Sequence, residues 1–400
     1  MVVRKCESRY CRAFFCSKFA RLYIMKFWIN LIATSLIITA LASCGSPSNE
    51  KSDLTLEPTP SDIDLNLDGA FEYGLVDGTF TQSITVFHNG RVLRSSHRGA
   101  LDSEKEFISN AIGEEYVDLY ENKSSRDLVT SWSTGKSFTS ILIGIAIDQG
   151  FISDLDQSAS DYIFEWQNDD RADITIRHIL NMRSGLFLYD GGNGGNITSF
   201  KNQLDACINR TPQTPRNNNF LYSNCDSMVL GEILVRATGK DFFDFADEHL
   251  FSQLDIDAQW WTDQNFNYLS YCCIDMTQEE FLKFGQMMLN NGGGIISESY
   301  ITEILSNNGE NYNLQFWFQD NVLMTIGYDG QFIVIDFANN VLVLRNSLYH
   351  QLVPINGQTI MINNQNGQAG STQIPLTLPT IFGGEQTFNI SEFLNILYRR

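Results

Sequence analysis

Two β-rich runs stand near the ends of the folded stretch, and helical periods fill the middle. In the first, "SITVFHNGRVLRSSHRG", apolar runs flank Asn89-Gly90, a dipeptide that accepts the positive φ angles of a tight hairpin turn. The second, "QFIVIDFANNVLVLRNS", brackets Asn339-Asn340 in the same way. Between them, "SFTSILIGIAIDQG" predicts an apolar helix closed by Gly150. "ITIRHILNMRSGL" predicts a helix that stops at Ser184-Gly185. "DSMVLGEILVRATG", "DFFDFADEHLFSQL" and "TQEEFLKFGQMMLNNGGG" are helical in period and end on Gly or polar breaks. "LYDGGNGGNITSFKN", 188–202, reads as a Gly/Asn-rich loop and a candidate lid, and "SEFLNILYRR" as a short amphipathic closing helix. Strands at both ends with helices between them predict an α+β fold. One antiparallel sheet is formed by the N- and C-terminal segments and flanked by helices, and a helical subdomain is inserted at about 155–295.

The first 43 residues read as targeting. From Met25, the better start, "MKFWINLIATSLIITALASCG" has a cationic start, an apolar run and small residues before Cys44, which is too short and wrongly flanked for a spanning helix. "LASC" resembles the bacterial lipobox, which implies lipidation of Cys44 and anchoring on the periplasmic side of a bacterial envelope. Residues 44–70 are polar, acidic and Pro/Ser-bearing, a tether lifting a domain off the membrane. The domain proper is expected over 71–350, with 351–400 as a C-terminal extension completing the fold.

The whole chain has a formal charge of −20. Residues 1–43 hold seven Lys/Arg and one Glu, so their removal leaves 357 residues at −26. Such a balance argues against nucleic-acid partners and against docking on anionic headgroups, leaving the N-terminal lipid anchor as the membrane contact. Of the eight cysteines, Cys207, Cys225, Cys272 and Cys273 persist beyond the leader and Cys44. Their spacing fits no zinc pattern, and both disulfides and buried free thiols stay open. No metal or cofactor is called for.

"SWSTGKSFTS", 131–140, admits two chemistries. A phosphate-binding loop ending in Gly135-Lys136-Ser137 needs Gly at position 130, where Thr130 stands. Ser133-x-x-Lys136, by contrast, puts both side chains on one helix face. A partly desolvated lysine can act as base toward a serine, and the free N–H groups of a helix start suit an oxyanion. The motif alone is cheap, because Ser48 and Lys51 in the tether match it too. Its company is more specific. "ITIRHILNMRSGL" follows, and then Tyr222-Ser223-Asn224 at the head of "DSMVLGEILVRATG".

In this order the motifs resemble the serine β-lactamase and penicillin-binding-protein superfamily, specifically its class C-related branch of esterases, carboxypeptidases and amide hydrolases. The resemblance covers roughly residues 75–348. It implies Ser133 as the acylated nucleophile, Lys136 as the group that takes or holds its proton, Tyr222 as proton relay, and Asn224 as the residue orienting lysine and substrate. Tyr222 could relay a proton only with a phenol pKa well below ~10, which a Lys136 ammonium would promote. The family's Lys-Thr-Gly or His-x-Gly strand is not matched: Val322 to Gln331 contains no Lys, Arg or His. Its "GYDG", Gly327 to Gly330, is more similar to relatives of 6-aminohexanoate-dimer hydrolase. That resemblance implies the backbone N–H of Tyr328 or Asp329 as second oxyanion donor beside that of Ser133.

A β-lactam carboxylate wants a cation on that strand, and Asp329 stands there instead. The expected partner is therefore a neutral or amine-bearing small-molecule or peptide ester or amide. The chain is expected to be a serine hydrolase working through an acyl-enzyme. The alternatives are a D-amino-acid carboxypeptidase or peptidase, a weak class C-type β-lactamase, and a catalytically inactive peptidoglycan-binding module. Trp132 is read either as a pocket wall or as core, and His178 as a structural histidine. Arg183 stands where the family usually has His or Thr.

Overall fold

The computed structural model describes residues 63–189, 197–217, 219–306, 310–319, 322–350, 362–363, 369–370 and 388–400. The expected signal segment, Cys44, most of the tether, the centre of the 188–202 loop and most of 351–387 lie outside these residues.

The main sheet has seven antiparallel strands: β1 (Thr81–His88), β2 (Arg91–His97), β3 (Tyr312–Asn313), β4 (Phe316–Gln319), β5 (Val322–Gly327), β6 (Gln331–Asp336) and β7 (Val341–Ser347). Their order is β2-β1-β7-β6-β5-β4-β3, so the chain's early hairpin and its late strands complete one sheet. Both expected hairpins are present. Asn89 (φ 48°) and Gly90 (φ 79°) turn β1 into β2, and Asn340 (φ 53°) closes the β6–β7 connection. The two turns touch, Asn340 Nδ2 donating to Asn89 Oδ1 at 3.0 Å.

The apolar runs of β6 and β7 do not alternate with polar residues because both faces of the sheet are covered. Ile333, Ile335, Leu342 and Leu344 face the large core, with α3 (Gly135–Asp148) and α7 (Gln278–Leu289). Phe332, Val334, Val341 and Val343 face a second core built on α1 (Leu67–Leu75) and α9 (Ile390–Tyr398). We call the first face the front and the second the rear. The folded body starts ahead of the expected boundary at 71, since Ile63, Leu65 and Leu67 pack on the rear core. The remaining principal helices are α2 (Asp102–Ile112), α4 (Ile176–Leu180), α5 (Gln203–Ile208), α6 (Asn224–Thr238) and α8 (Glu298–Leu305).

Helix α3 is buried from Gly135 to Ala146, which explains why it is apolar all round and not striped. Helix α4 is shorter than its periodicity implies. It ends at Leu180, and Met182 adopts φ 56°. The carbonyls of Met182, Arg183 and Gly185 then accept the N–H groups of Leu221, Asn217 and Gln213, so tertiary pairing replaces the last helical turn. The inserted subdomain is not purely helical either. Gln259–Trp260 and Ile274–Met276 form a small sheet with Val129–Thr130, while Thr262–Asp263 pairs with Ile362–Asn363 of the C-terminal extension. Among the described residues no helix is long and apolar enough to cross a membrane.

The cysteines left open by the sequence form two disulfides, Cys207–Cys225 joining α5 to α6 and the adjacent pair Cys272–Cys273. The first spans a sequence separation of 18. Replacing both Cys207 and Cys225 by Ser should lower unfolding free energy by about 3 kcal/mol, the loop-closure entropy of a ring of this size. Urea unfolding under non-reducing conditions measures it, and an unchanged midpoint would refute the assignment.

Candidate active site

Ser133 lies where a strand hands over to the buried helix. Val129–Thr130 pairs with Ile274–Met276, and Ser131 prolongs the pairing. Its N–H donates to the Ile274 carbonyl and its hydroxyl accepts the Ile274 N–H, both at 2.8 Å. Trp132–Thr134 form one 3₁₀ turn, and α3 begins at Gly135. Trp132 has φ 43°, a left-handed conformation that a bulky residue keeps only when its surroundings impose it. Those surroundings come largely from β5. The hydroxyl of Thr134 is 3.1 Å from that of Thr325, and a Cβ on Gly327 would come within 2.3 Å of the Ser131 carbonyl oxygen. Gly135 is indeed a small residue at a crowded helix start, since its Cβ would meet the Cys272 backbone at 3.0 Å.

Lys136 sits one turn on and is only 1% exposed. Its Nζ lies 3.1 Å from Ser133 Oγ, 2.7 Å from Asn224 Oδ1 and 3.0 Å from the Tyr271 carbonyl oxygen. Three acceptors match the three donors of an ammonium. The rings of Tyr222 and Tyr271 stand 4.8 Å and 5.4 Å from Nζ, within cation–π range. An ammonium cannot accept the Ser133 proton, but the neutral amine can. The half-buried Tyr222 ring stands over the same Nζ, which makes its phenol the second candidate carrier of that proton.

Tyr222 and Asn224 are placed by the start of α6. Ser223 caps that helix, its hydroxyl accepting the Asp226 N–H at 3.4 Å. Beneath it Arg210 and Asp226 form an ion pair at 2.8 Å with side-chain exposures of 0% and 1%. Arg210 also donates to Ser223 Oγ at 3.1 Å, and Ser184 Oγ to Asp226 at 2.9 Å. The Tyr222 ring packs on Tyr312 and Trp317 at 6.1 Å and 5.7 Å, and Phe220 packs on the same two rings. Burial pushes the Tyr312 phenol well above its ordinary pKa, with Tyr222 and Asp226 adding to the shift, so Tyr312 stays a neutral wall.

The expected oxyanion segment is a 3₁₀ turn, Tyr328–Gly330, between β5 and β6. It stands beside the nucleophile's turn, with the rings of Trp132 and Tyr328 edge to face at 5.9 Å. Asp329 departs from the role expected for its side chain. The residue is 6% exposed, so its carboxylate is not offered to a substrate; burial lowers the pKa of Arg345 to about 9, and the Asp329 charge opposes that shift. Tyr328, 38% exposed, is what this turn shows to solvent. Arg183 pairs with Glu310 at 3.1 Å. His178 is structural: its Nδ1 accepts the Thr175 N–H in a capping box, and burial lowers its pKa.

Sequence reasoning missed the Tyr271 carbonyl, the Arg210–Asp226 pair and Arg345. A backbone acceptor carries no residue-type signal, and a buried ion pair becomes visible only when α5 and α6 are seen side by side. Among the described residues no group of three or more His, Cys, Asp or Glu side chains forms a metal site.

Asp226→Asn should destabilise the protein by about 3–5 kcal/mol, because Arg210 would keep a buried charge without its counter-ion. Replacing Arg210 and Asp226 together by apolar residues should restore much of that loss. Equal losses for the single and double variants in urea titrations would contradict this account.

The family model described as Beta-lactamase matches residues 111–267. It spans Ser133, Lys136, Tyr222 and Asn224 and stops short of the Tyr328–Gly330 turn. Among solved structures, a Bacillus anthracis protein named for 6-aminohexanoate-dimer hydrolase is similar at TM-score 0.54 and 19% identity, over 67% of this chain and 73% of that one. A Bacteroides dorei DSM 17855 protein named for β-lactamase gives TM-score 0.57 and 15% identity over 80% and 95%. A hydrolase with promiscuous acyltransferase activity gives 0.55 and 12% over 70% and 92%. At these identities the likeness is one of fold. No curated protein matches the chain.

Proposed function

From the premise that this chain has the fold of the serine β-lactamase and penicillin-binding-protein superfamily and carries its Beta-lactamase domain, we propose that it is a serine hydrolase acting through an acyl-enzyme. The observation that carries the proposal is Lys136 Nζ, buried and hydrogen-bonded to both Ser133 Oγ and Asn224 Oδ1 under the Tyr222 ring. Ser133 Oγ attacks the substrate carbonyl while its proton passes to the Lys136–Tyr222 pair. That proton is returned to the departing alcohol or amine. Water, deprotonated by the same pair, then releases the acid and restores Ser133. The N–H groups at Ser133 and in the Tyr328–Gly330 turn are the groups assigned to the developing oxyanion.

The substrate class we infer is a neutral or amine-bearing ester or amide. Two features support it: Val322 to Gln331 lacks Lys, Arg and His, and aromatic rings are grouped near the site, Trp132 with Tyr328 and Tyr222 and Phe220 on Tyr312 and Trp317. The hydrolase names carried by structural relatives agree with this class in general terms. The leader sequence supports placement on the periplasmic side of an envelope through a lipidated Cys44.

A fluorophosphonate should label the wild-type protein, and Ser133→Ala should abolish labelling. Lys136→Met and Tyr222→Phe should each lower kcat on a short-chain ester by about 10²–10⁴-fold, the usual weight of a general acid–base group. Equal labelling of wild type and Ser133→Ala would remove Ser133 as nucleophile, and no labelling of either would leave a binding module. A chromogenic cephalosporin turned over faster than the esters would overturn the substrate class.

A further inference from the structure

Behind the Tyr328–Gly330 turn lies a buried cation that the reaction scheme above does not use. Arg345, on β7, follows Val343 on the rear face and is 2% exposed. Its Nη1 donates to the carbonyls of Asp329 (2.6 Å) and Gly330 (2.8 Å). Its Nη2 donates to the Thr79 carbonyl (2.6 Å) and, with Nε, to Thr81 Oγ1 at 3.2 Å. The guanidinium also lies 4.8 Å over the Phe388 ring. The fit is close, since a Cβ on Gly330 would come within 2.5 Å of Nη1.

Burying a guanidinium is expensive, and here its hydrogen bonds go to carbonyls and a hydroxyl. The planar fork ties two segments together, Nη1 on the two successive carbonyls of the turn and Nη2 with Nε on Thr79 and Thr81, a span that a point-charge lysine cannot reproduce. That turn needs holding. Asp329 is in the left-handed region at φ 59°, ψ 15°, and a non-glycine residue stays there when its neighbours over-determine it. On the opposite side, Gly327 is pressed against the Ser131 carbonyl and Tyr328 against Trp132.

We propose that Arg345 is a positioning residue: from the rear of the sheet it locks the Tyr328–Gly330 turn by its carbonyls and so sets where the turn's backbone N–H groups stand relative to Ser133. The role rests on the acyl-enzyme reading above. An oxyanion donor matters once negative charge develops, so a displaced turn should lower kcat and leave KM little changed.

The experiment compares Arg345→Gln and Arg345→Lys with the wild type, using Thr81→Val as a control that removes one Arg345 acceptor outside the turn. A short-chain ester gives kcat and KM, a fluorophosphonate gives the inactivation rate, and thermal unfolding confirms that each variant is folded. Arg345→Lys keeps the buried charge and answers the question if Arg345→Gln does not fold. The expected result is a kcat and an inactivation rate lowered about 10²-fold in Arg345→Gln, the usual weight of one oxyanion donor, with KM within about threefold of the wild type. Arg345→Lys should fall between, and Thr81→Val should stay near wild type. Folded Arg345 variants with wild-type kcat, or with a raised KM and unchanged kcat, overturn the positioning role while wild-type labelling at Ser133 keeps the hydrolase reading intact. A wild-type protein that is not labelled at Ser133 overturns that reading first, and the inference with it.

Discussion

The burial of the Lys136 amino group is the constraint around which this molecule is arranged. Desolvating Lys136 costs several kcal/mol, which is offset only if oxygen atoms replace the lost water. The three that do so come from the Ser133 turn, from the start of α6 and from the loop before Ile274. These are three remote stretches of chain, and each is fixed by something else. Ser133 is fixed by the pairing of Ser131 with Ile274 and by contact with β5. Asn224 is fixed by the Arg210–Asp226 pair beneath its helix. Tyr271 has its hydroxyl on Gln203 Oε1 at 2.9 Å and is followed by the Cys272–Cys273 disulfide. Asn224 likewise precedes a disulfide cysteine, Cys225, so two of the oxygens that hold the lysine stand next to covalent cross-links.

The sheet divides the labour between its faces. The front carries α3 and the large core, and the nucleophile's turn rests on β5. The rear is closed by α1 and α9, helices from the two ends of the folded body, and Arg345 projects among them. What looks in the sequence like a plain apolar strand, "VLVLR", therefore serves both sides: Leu342 and Leu344 support the front core, Val341 and Val343 the rear.

Much of this was legible before any coordinates. Hairpin dipeptides act locally, so Asn89-Gly90 announced the edge hairpin and Asn339-Asn340 the central one, and Gly150 and Gly239 marked the ends of α3 and α6. Ser133, Lys136, Tyr222 and Asn224 were legible because side-chain chemistry at a fixed order is a strong signal, and the structure brings Ser133, Tyr222 and Asn224 around Lys136. Three things were not legible. The early end of α4 depends on hydrogen bonds to a loop 28 to 39 residues away. The start of the folded body was hidden in an acidic stretch whose few apolar residues, Ile63, Leu65 and Leu67, gain meaning only against α9. Asp329 read as a charge facing substrate, yet it is buried and interacts with the Arg345 charge, in a left-handed turn that residue type alone does not announce.

The pairing of β1 with β7 has a bearing on the order in which the molecule can become whole. Val86 faces Val343 across the sheet, and Asn66 at the head of α1 donates its N–H to the Leu397 carbonyl at 2.8 Å. Contacts this distant in sequence are late and slow to form. On a ribosome, Ser133, Lys136, Tyr222 and Asn224 all emerge well before the strand against which the nucleophile's turn leans. A nascent chain holding all four side chains would still lack Thr325, Gly327 and Arg345, and would leave β1 without β7. The four side chains are thus made before the strands that wall them in.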